Sequence, residues 1–285
     1  MNEKNRIEKG TLYLVGTPIG NLSDMSERAV KVLSEVDFIA AEDTRNSLRL
    51  LTHLGIKKPM LSYFEHNKQE RGEQIVERLK SGESGALITD AGMPAISDPG
   101  EDLVRLCAEC DITVTTVPGP CAAVTALTLS ALPTGRFTFE GFLSANKSER
   151  RAALADLSGE KRTMIFHEAP HKLKATLSDM EASFGASRKI SLCRELTKLN
   201  EQVLRMTLSE AVEYYSQNEP RGEFVLVVEG ASSNGASEAF WTNMEIPQHV
   251  SFYINQGMSK NDAIKKTAKD RGVHKNEIYQ VVMVK

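Results

Sequence analysis

The stretch Gly10-Thr-Leu-Tyr-Leu-Val-Gly-Thr-Pro-Ile-Gly-Asn-Leu-Ser-Asp24 decides how this chain folds. Thr11–Val15 is a short apolar run of strand type, Gly16–Asn21 is a turn of glycine, proline and asparagine, and Ser26–Glu35 has helical spacing. Strand, glycine turn and helix in that order open a parallel α/β layer. Working outward, the same alternation predicts strands at Phe38–Ala41, Met60–Phe64, Ala86–Thr89 and Ile112–Val117. Helices are expected at Ser47–Leu54 and Glu70–Lys80. A further helix should start at Asp98-Pro99-Gly100-Glu101, where Asp98 can cap and Pro99 suits the first helical position. After Pro118-Gly119-Pro120 a helix over Ala122–Leu132 leads into a second set of elements. Its strands are expected at Phe137–Glu140, Thr163–Phe166, Ile190–Arg194, Val203–Thr207 and Phe224–Glu229, with helices at Ser148–Leu157, Leu173–Phe184 and Ser209–Ser216. The tail reads as three helices, Pro247–Gln256, Lys260–Arg271 capped by Ser259, and Lys275–Val284. The fold class is therefore α/β: two α/β domains over 10–119 and 120–230, a linker over 231–246, and a small basic helical domain over 247–285.

Composition agrees with an ordinary globular protein, neither disordered nor fibrous. The 285 residues are 41% hydrophobic and 26% charged, enough for a sizeable core. No apolar run approaches the roughly 18 residues that span a bilayer, and the N-terminus leads into no signal-type segment, so a cytoplasmic protein with no membrane partner is expected. Cys107 and Cys110 form a Cys-x-x-Cys near a helix end, with no second pair to complete a zinc set, and they read as buried small hydrophobes. No metal is expected. Net charge is −3 but uneven: from Pro247 to Lys285 seven Lys/Arg stand against three acids, giving +4 there and −7 elsewhere. Such a tail suits a polyanionic partner, although a solvated helical face can carry as many lysines.

In a parallel sheet the ligand lies beyond the carboxyl ends of the strands. Five polar or glycine-rich loops fall on that edge: Gly16–Asn21, Glu42–Arg45, Glu65–Asn67, Asp90–Pro94 and Pro118–Pro120. Gly16-x-x-x-Gly20 lacks the Lys-Ser/Thr of a P-loop and is not a dinucleotide fingerprint. Pro18 and Pro94 remove backbone donors that a pyrophosphate would want. An adenosine with a short charged side chain and no phosphate fits better, with Asp90 able to balance a sulfonium or an ammonium.

Gly10–Asp24, Ala41-Glu-Asp-Thr-Arg45, Thr89-Asp-Ala-Gly-Met-Pro94, Ile96-Ser-Asp-Pro-Gly100 and Val117-Pro-Gly-Pro-Cys-Ala-Ala123 resemble the bacterial 16S rRNA (cytidine-2′-O)-methyltransferase family called RsmI. That family is a branch of the tetrapyrrole-methylase-like methyltransferases. Gly141-Phe-Leu143, Ile165–His171, Arg194–Lys198 and Arg221–Glu223 extend the resemblance through the second domain. Met93, His167 and Ser144 depart from it, where Thr, Tyr and Pro are usual. The resemblance implies S-adenosyl-L-methionine in a cleft between two α/β domains, a homodimer, and a cytidine ribose of 16S rRNA or the small ribosomal subunit as substrate. It implies cofactor contacts from Pro18, from Asp90, Ala91, Gly92 and Ser97, from Ala122, and from Glu195, Leu196, Gly222 and Glu223.

Methyl transfer to a hydroxyl requires positioning and a base. Glu42, Asp43, His66 and Asp90 are the candidates for the base, with Arg45 able to hold a phosphate or a nascent alkoxide. Asp43 or Glu42 with Arg45 is the preferred set, Asp90 serving the cofactor. The alternative is structural: Glu42 and Asp43 cap the next helix, Arg45 pairs with them, and His66 is a hydrogen-bonded structural residue. Lys147, Arg150 and Arg151 oppose a helix dipole and so suit an rRNA phosphate, or simply solvent. Lys260, Lys265, Lys266, Lys269 and Lys275 of the tail are the stronger RNA-binding set. Two other readings stand beside this one: a small-molecule methylase acting on a tetrapyrrole, and a non-catalytic module that binds S-adenosylmethionine and RNA.

Overall fold

The computed structural model describes residues 6–231, 241 and 244–283. The chain forms two compact units, Met1–Gly230 and Ala231–Lys285.

The first half of the larger unit is a sheet of five parallel strands, β1 (Thr11–Val15), β2 (Phe38–Ala41), β3 (Met60–Ser62), β4 (Gly85–Ile88) and β5 (Thr113–Val117), in the order β3-β2-β4-β1-β5. The helices α1 (Glu27–Glu35), α2 (Thr44–His53), α3 (Lys68–Lys80) and α4 (Gly100–Glu109) cover both faces. Alternate residues of each strand feed opposite cores. Val15 and Ile39 pack with Val32, Leu33 and Leu51 on one side, and Leu12 and Phe38 with Ile75, Leu79 and Leu103 on the other. β3 is shorter than expected because Tyr63 turns inward, 2% exposed, and donates from its hydroxyl to the Pro99 carbonyl. Cys107 is fully buried, and burial pushes its thiol up to about 11, as suits an inert core residue.

The second half is a mixed sheet of β6 (Phe137–Phe142), β7 (Thr163–Glu168), β8 (Lys189–Arg194), β9 (Gln202–Thr207) and β10 (Phe224–Val228), ordered β6-β7-β10-β8-β9. Only β6 and β7 run parallel; the other pairs are antiparallel. One face packs Phe166, Leu192 and Leu226 against α6 (Lys147–Asp156), α7 (Pro170–Phe184) and α8 (Leu208–Gln217). The other face, with Ile165, Cys193, Val225 and Val227, is covered by Ala126 and Leu127 of α5 (Ala122–Leu129) and by Ile19 of the first glycine turn. α5 therefore joins the halves through a shared apolar layer. It stops at Leu129, short of the expected Leu132, because Ala131 takes φ 59° and Pro133 follows.

The smaller unit is a three-helix cluster, α9 (Ile246–Asn255), α10 (Lys260–Arg271) and α11 (Lys275–Met283), around Val250, Tyr253, Ile264, Ala268 and Ile278. Ser259 caps α10 by accepting the Asp262 N–H, and Gly272 ends it at φ 65°. The linker expected over 231–246 and the last residue of the helix expected over Lys275–Val284 fall largely outside the described residues. Among the described residues no helix is long and apolar enough to cross a membrane.

Candidate functional site

A cavity of about 460 Å³ opens at the carboxyl edge of the parallel sheet and is walled by both halves of the larger unit. That volume is ordinary for a small-molecule site. Hydrogen bonds between edge loops build its first wall. Thr17 donates its N–H to Gly92 O at 2.9 Å, Gly92 returns one to Thr17 O at 3.1 Å, and the Thr17 hydroxyl donates to Thr89 O at 3.0 Å. These bonds lock the first glycine turn against the Asp90–Gly92 loop. Met93, one of the departures from the family pattern, packs its sulfur where a Cβ on Gly16 would come within 2.8 Å.

The loop then runs through two left-handed residues, Ala95 (φ 66°) and Ser97 (φ 61°). The Asp98 carboxylate holds them by accepting N–H groups from Ala95 at 3.0 Å and Gly100 at 2.7 Å. Asp98 therefore does not cap α4 in the expected way: Pro99 is the cap residue and the helix begins at Gly100.

Opposite, Glu195 (φ 51°) and Thr197 (φ 65°) carry Leu196 into the cavity. The Glu195 carboxylate accepts the Glu223 N–H at 2.9 Å and pairs with Lys198 at 2.9 Å, while Lys198 reaches Glu223 at 2.8 Å. Gly222 has φ 81°, and a Cβ there would lie 2.5 Å from Glu195 Cδ, so the position excludes larger residues. Ile19, Ala123, Leu196 and Val225 give the cavity an apolar floor.

Of the residues expected from sequence, Glu42, Asp90, Ala91, Gly92, Ser97, Ala122, Leu196 and Glu223 line this cavity. Pro18 does not, its neighbour Ile19 lining in its place; Glu195 and Gly222 stand behind Glu223. Asp43 points elsewhere. It caps α2 by accepting the Arg45 N–H at 2.8 Å and pairs with the Arg45 guanidinium at 3.0 Å, which holds its carboxyl below the usual range. His66 is exposed, edge-on to Phe64, and away from the cavity. Glu42 accepts a hydrogen bond from the Thr89 hydroxyl at 3.1 Å. Loss of water around it raises its pKa above the ordinary glutamate value; the Thr89 bond opposes this, and the charges of Asp90, Asp98 and Asp43 reinforce it. Asp90 accepts from Asn46 Nδ2 at 3.2 Å.

Arg150, expected to meet phosphate, is instead 5% exposed. Its guanidinium makes two bonds to Asp179, at 2.9 and 2.7 Å, and reaches the Ser144 and Ala145 carbonyls. This correction has a simple cause: Asp179 lies on the face of α7 against which α6 packs, and a buried carboxylate needs a buried partner. Arg151 takes the other Asp179 oxygen at 2.7 Å but stays half exposed, and Lys147 is exposed. Ser144 serves the same corner, donating to Glu149 at 2.6 Å and accepting the Asn146 N–H. In the tail unit Lys265 pairs with Asp262 and Lys266 with Asp270, while Lys260, Lys269 and Lys275 are exposed.

Sequence reasoning assigned no site role to Ile96, Asp98, Phe139, Phe142 or His167, which also line the cavity. The available signal was Gly141, directly after the expected strand Phe137–Glu140: β6 runs on through a bulge there to Phe142. Among the described residues no lysine or arginine lines the cavity, whereas Glu42, Asp90, Asp98, Glu168 and Glu223 do. Among the described residues no three His, Cys, Asp or Glu side chains are grouped as metal ligands.

This fold and cleft define a class. A family model described as Tetrapyrrole (Corrin/Porphyrin) Methylases matches residues 11–212. Solved structures share the architecture: a uroporphyrin-III-C-methyltransferase from Thermus thermophilus (18% identity, TM-score 0.55, 77% of this chain and 94% of that one) and a diphthine synthase (14%, TM-score 0.59, 77% and 90%). Over nearly the full length, the chain is 48% identical to "Ribosomal RNA small subunit methyltransferase I" of Halalkalibacterium halodurans (98% of this chain, 96% of that one). It is 44% identical to the protein of the same name from Bacillus subtilis (100% and 98%). Within the tetrapyrrole-methylase class, the chain belongs to the ribosomal RNA small subunit methyltransferase I family.

Proposed function

We propose that the chain transfers a methyl group from S-adenosylmethionine to the ribose 2′-hydroxyl of a cytidine in 16S rRNA, acting on the RNA or the small subunit as a cytoplasmic homodimer. The observation that carries this reading is the charge of the cleft: an apolar floor ringed by carboxylates, with no lysine or arginine among the described residues. Such a lining repels a phosphate-bearing cofactor and suits a cationic sulfonium with an ammonium group. It also disfavours a tetrapyrrole with several carboxylate arms as substrate. The relatives named as ribosomal RNA methyltransferases, similar end to end including the basic tail, supply the substrate class.

The residues present fit the cofactor. Leu196, Ala122 and Val225 offer apolar contact for an adenosine, the closely approaching backbone at Gly92 admits a ligand near the chain, and Asp90 and Glu223 balance positive charge. When bound, S-adenosylmethionine supplies an electrophilic methyl group. Glu42 takes the 2′-hydroxyl proton, oriented by the Thr89 hydroxyl. Arg45, its side chain 89% exposed, meets a phosphate beside the target, and Lys147, Arg151 and the lysines of the tail unit hold the RNA backbone.

Labelled cofactor and undermethylated small subunits test the reading. Label should appear in an alkali-resistant ribose linkage; label on a base, or binding without transfer, would overturn it. Glu42→Gln should lower kcat by about 100-fold or more while cofactor Kd changes less than about twofold. The base acts ionised, so activity falls as pH drops through the Glu42 pKa. Because that pKa is raised, the acid limb should lie above the ordinary glutamate range and vanish in Glu42→Gln.

A further inference from the structure

β6 contains a bulge. Its pairing with β7 runs Phe139↔Ile165, then skips to Gly141↔Phe166 and Phe142↔His167. In a regular strand, residues three apart point to opposite faces; the extra residue puts Phe139 and Phe142 on the same side. Gly141 takes φ 65° at the bulge, and a Cβ there would lie 3.5 Å from Ser97 Oγ, so the bulge sits directly against the 95–98 loop. Both phenylalanine rings meet His167 edge-on, at 5.2 and 5.3 Å. All three residues line the cavity.

Two large apolar side chains of this cavity remain open to water, Phe142 at 60% and Ile96 at 50%. They come from the two facing halves, and they contrast with the buried floor of Ile19, Leu196 and Val225. Lys172 Nζ stands 5.6 Å from the Phe142 ring centroid and is fixed by the Leu143 carbonyl and Glu168, which steadies the ring. Nε2 of His167 is buried with no hydrogen-bond partner among the described residues. Burial lowers the pKa of this imidazole and keeps it neutral at pH 7. An open aromatic face, an aliphatic opposite it and one neutral polar atom match a flat, uncharged ring with a hydrogen-bonding edge.

We propose that Phe142, Ile96 and His167 form the seat for the base of the target nucleotide, which leaves its stack to lie on Phe142 with one edge bonded to His167 Nε2. This rests on the RNA-methylation reading above. The enclosed floor suits the cofactor's adenine, and the open rim suits a base that must enter and leave with a polymer. Phe142 and His167 then act on substrate affinity and base choice, separately from proton removal by Glu42.

The test uses the full-length protein, labelled cofactor and undermethylated small subunits. Phe142→Ala should reduce kcat/KM for RNA by about tenfold or more, with cofactor Kd changed less than about twofold, and Phe142→Trp should restore most of the loss. His167→Phe should keep the packing but reduce discrimination between cytidine and uridine at the target position, and it serves if Phe142→Ala fails to fold. Weakened cofactor binding with unchanged RNA kinetics would assign the rim to the adenine and overturn the proposal, as would Phe142→Ala behaving as wild type. If wild-type protein labels no RNA, the methylation reading fails and the seat falls with it; if wild type labels RNA and the rim variants match it, the seat alone falls.

Discussion

The loops around Ile96 and Leu196 face one cavity and use one backbone device. Each places left-handed residues, none of them glycine, on both sides of its apolar residue: Ala95 and Ser97 at 66° and 61°, Glu195 and Thr197 at 51° and 65°. Each such residue costs on the order of 1–3 kcal/mol, so both loops are held by polar contacts that over-determine them. They differ in what holds them. The first depends on a single carboxylate, Asp98, folded back onto its own backbone. The second is a network in which Glu195, Lys198 and Glu223 share charge and Glu201 accepts the Thr197 N–H at 2.6 Å. Ile96 is half exposed and Leu196 is 6% exposed. A lone local anchor builds an open rim; a networked one builds a closed floor.

If that contrast is right, the rim loop has one point of failure. Asp98→Ala should leave the Ala95 and Gly100 N–H groups unpaired and release both left-handed residues, costing about 2–4 kcal/mol. Cofactor affinity should fall about 100-fold, read by calorimetry, while exchange protection of the Glu223 amide stays at the wild-type level. Asp98→Asn, which keeps an acceptor, should lose much less. The networked loop should yield more gradually. Gly222→Ala forces a Cβ against Glu195 at φ 81°, and is expected to cost about 1–2 kcal/mol in denaturant unfolding and about tenfold in cofactor affinity. A larger loss from Gly222→Ala than from Asp98→Ala would reverse the assignment of fragile and robust walls.

The same contrast explains what could be read from sequence. β1 to β5 and their edge loops were legible because strand runs and Gly/Pro punctuation are local signals. Asp98 looked like a cap because it precedes Pro-Gly-Glu; nothing local announces that Ala95 and Ser97 will turn left-handed and call its carboxylate back to them. Glu42 and Asp43 are adjacent and chemically alike, and the choice between them depends on which one the α2 terminus takes; it takes the aspartate. Arg150 and Arg151 read as a surface charge cluster because their partner, Asp179, is 28 and 29 residues away and becomes visible only once α7 packs on α6. Phe142 escaped for a different reason: the expected strand stops at Glu140, whereas β6 continues through a bulge at Gly141 that brings Phe142 to the same side as Phe139.

The smallest expected effect is also the most selective, because acid should move the two loops in opposite directions. The Glu223 N–H and Lys198 stabilise the charged form of Glu195 and lower its pKa. A carboxylate lowered in the folded state contributes stability that is complete above its unfolded pKa and is lost as pH falls through the folded value. Asp98 is the reverse. Burial raises its pKa, against the pull of the Gly100, Ala95 and Ile96 N–H groups, so the folded loop binds its proton more tightly than the unfolded chain does. Its ionised form therefore carries a cost at neutral pH that is relieved as pH falls through the folded pKa towards the ordinary aspartate value. Amide exchange, corrected for intrinsic rates and followed from pH 7 towards about 4, should show protection at Glu223 falling while protection at Gly100 holds or rises. A parallel decline at both amides would mean that the loops open as one unit, and that the distinction between rim and floor is only one of exposure.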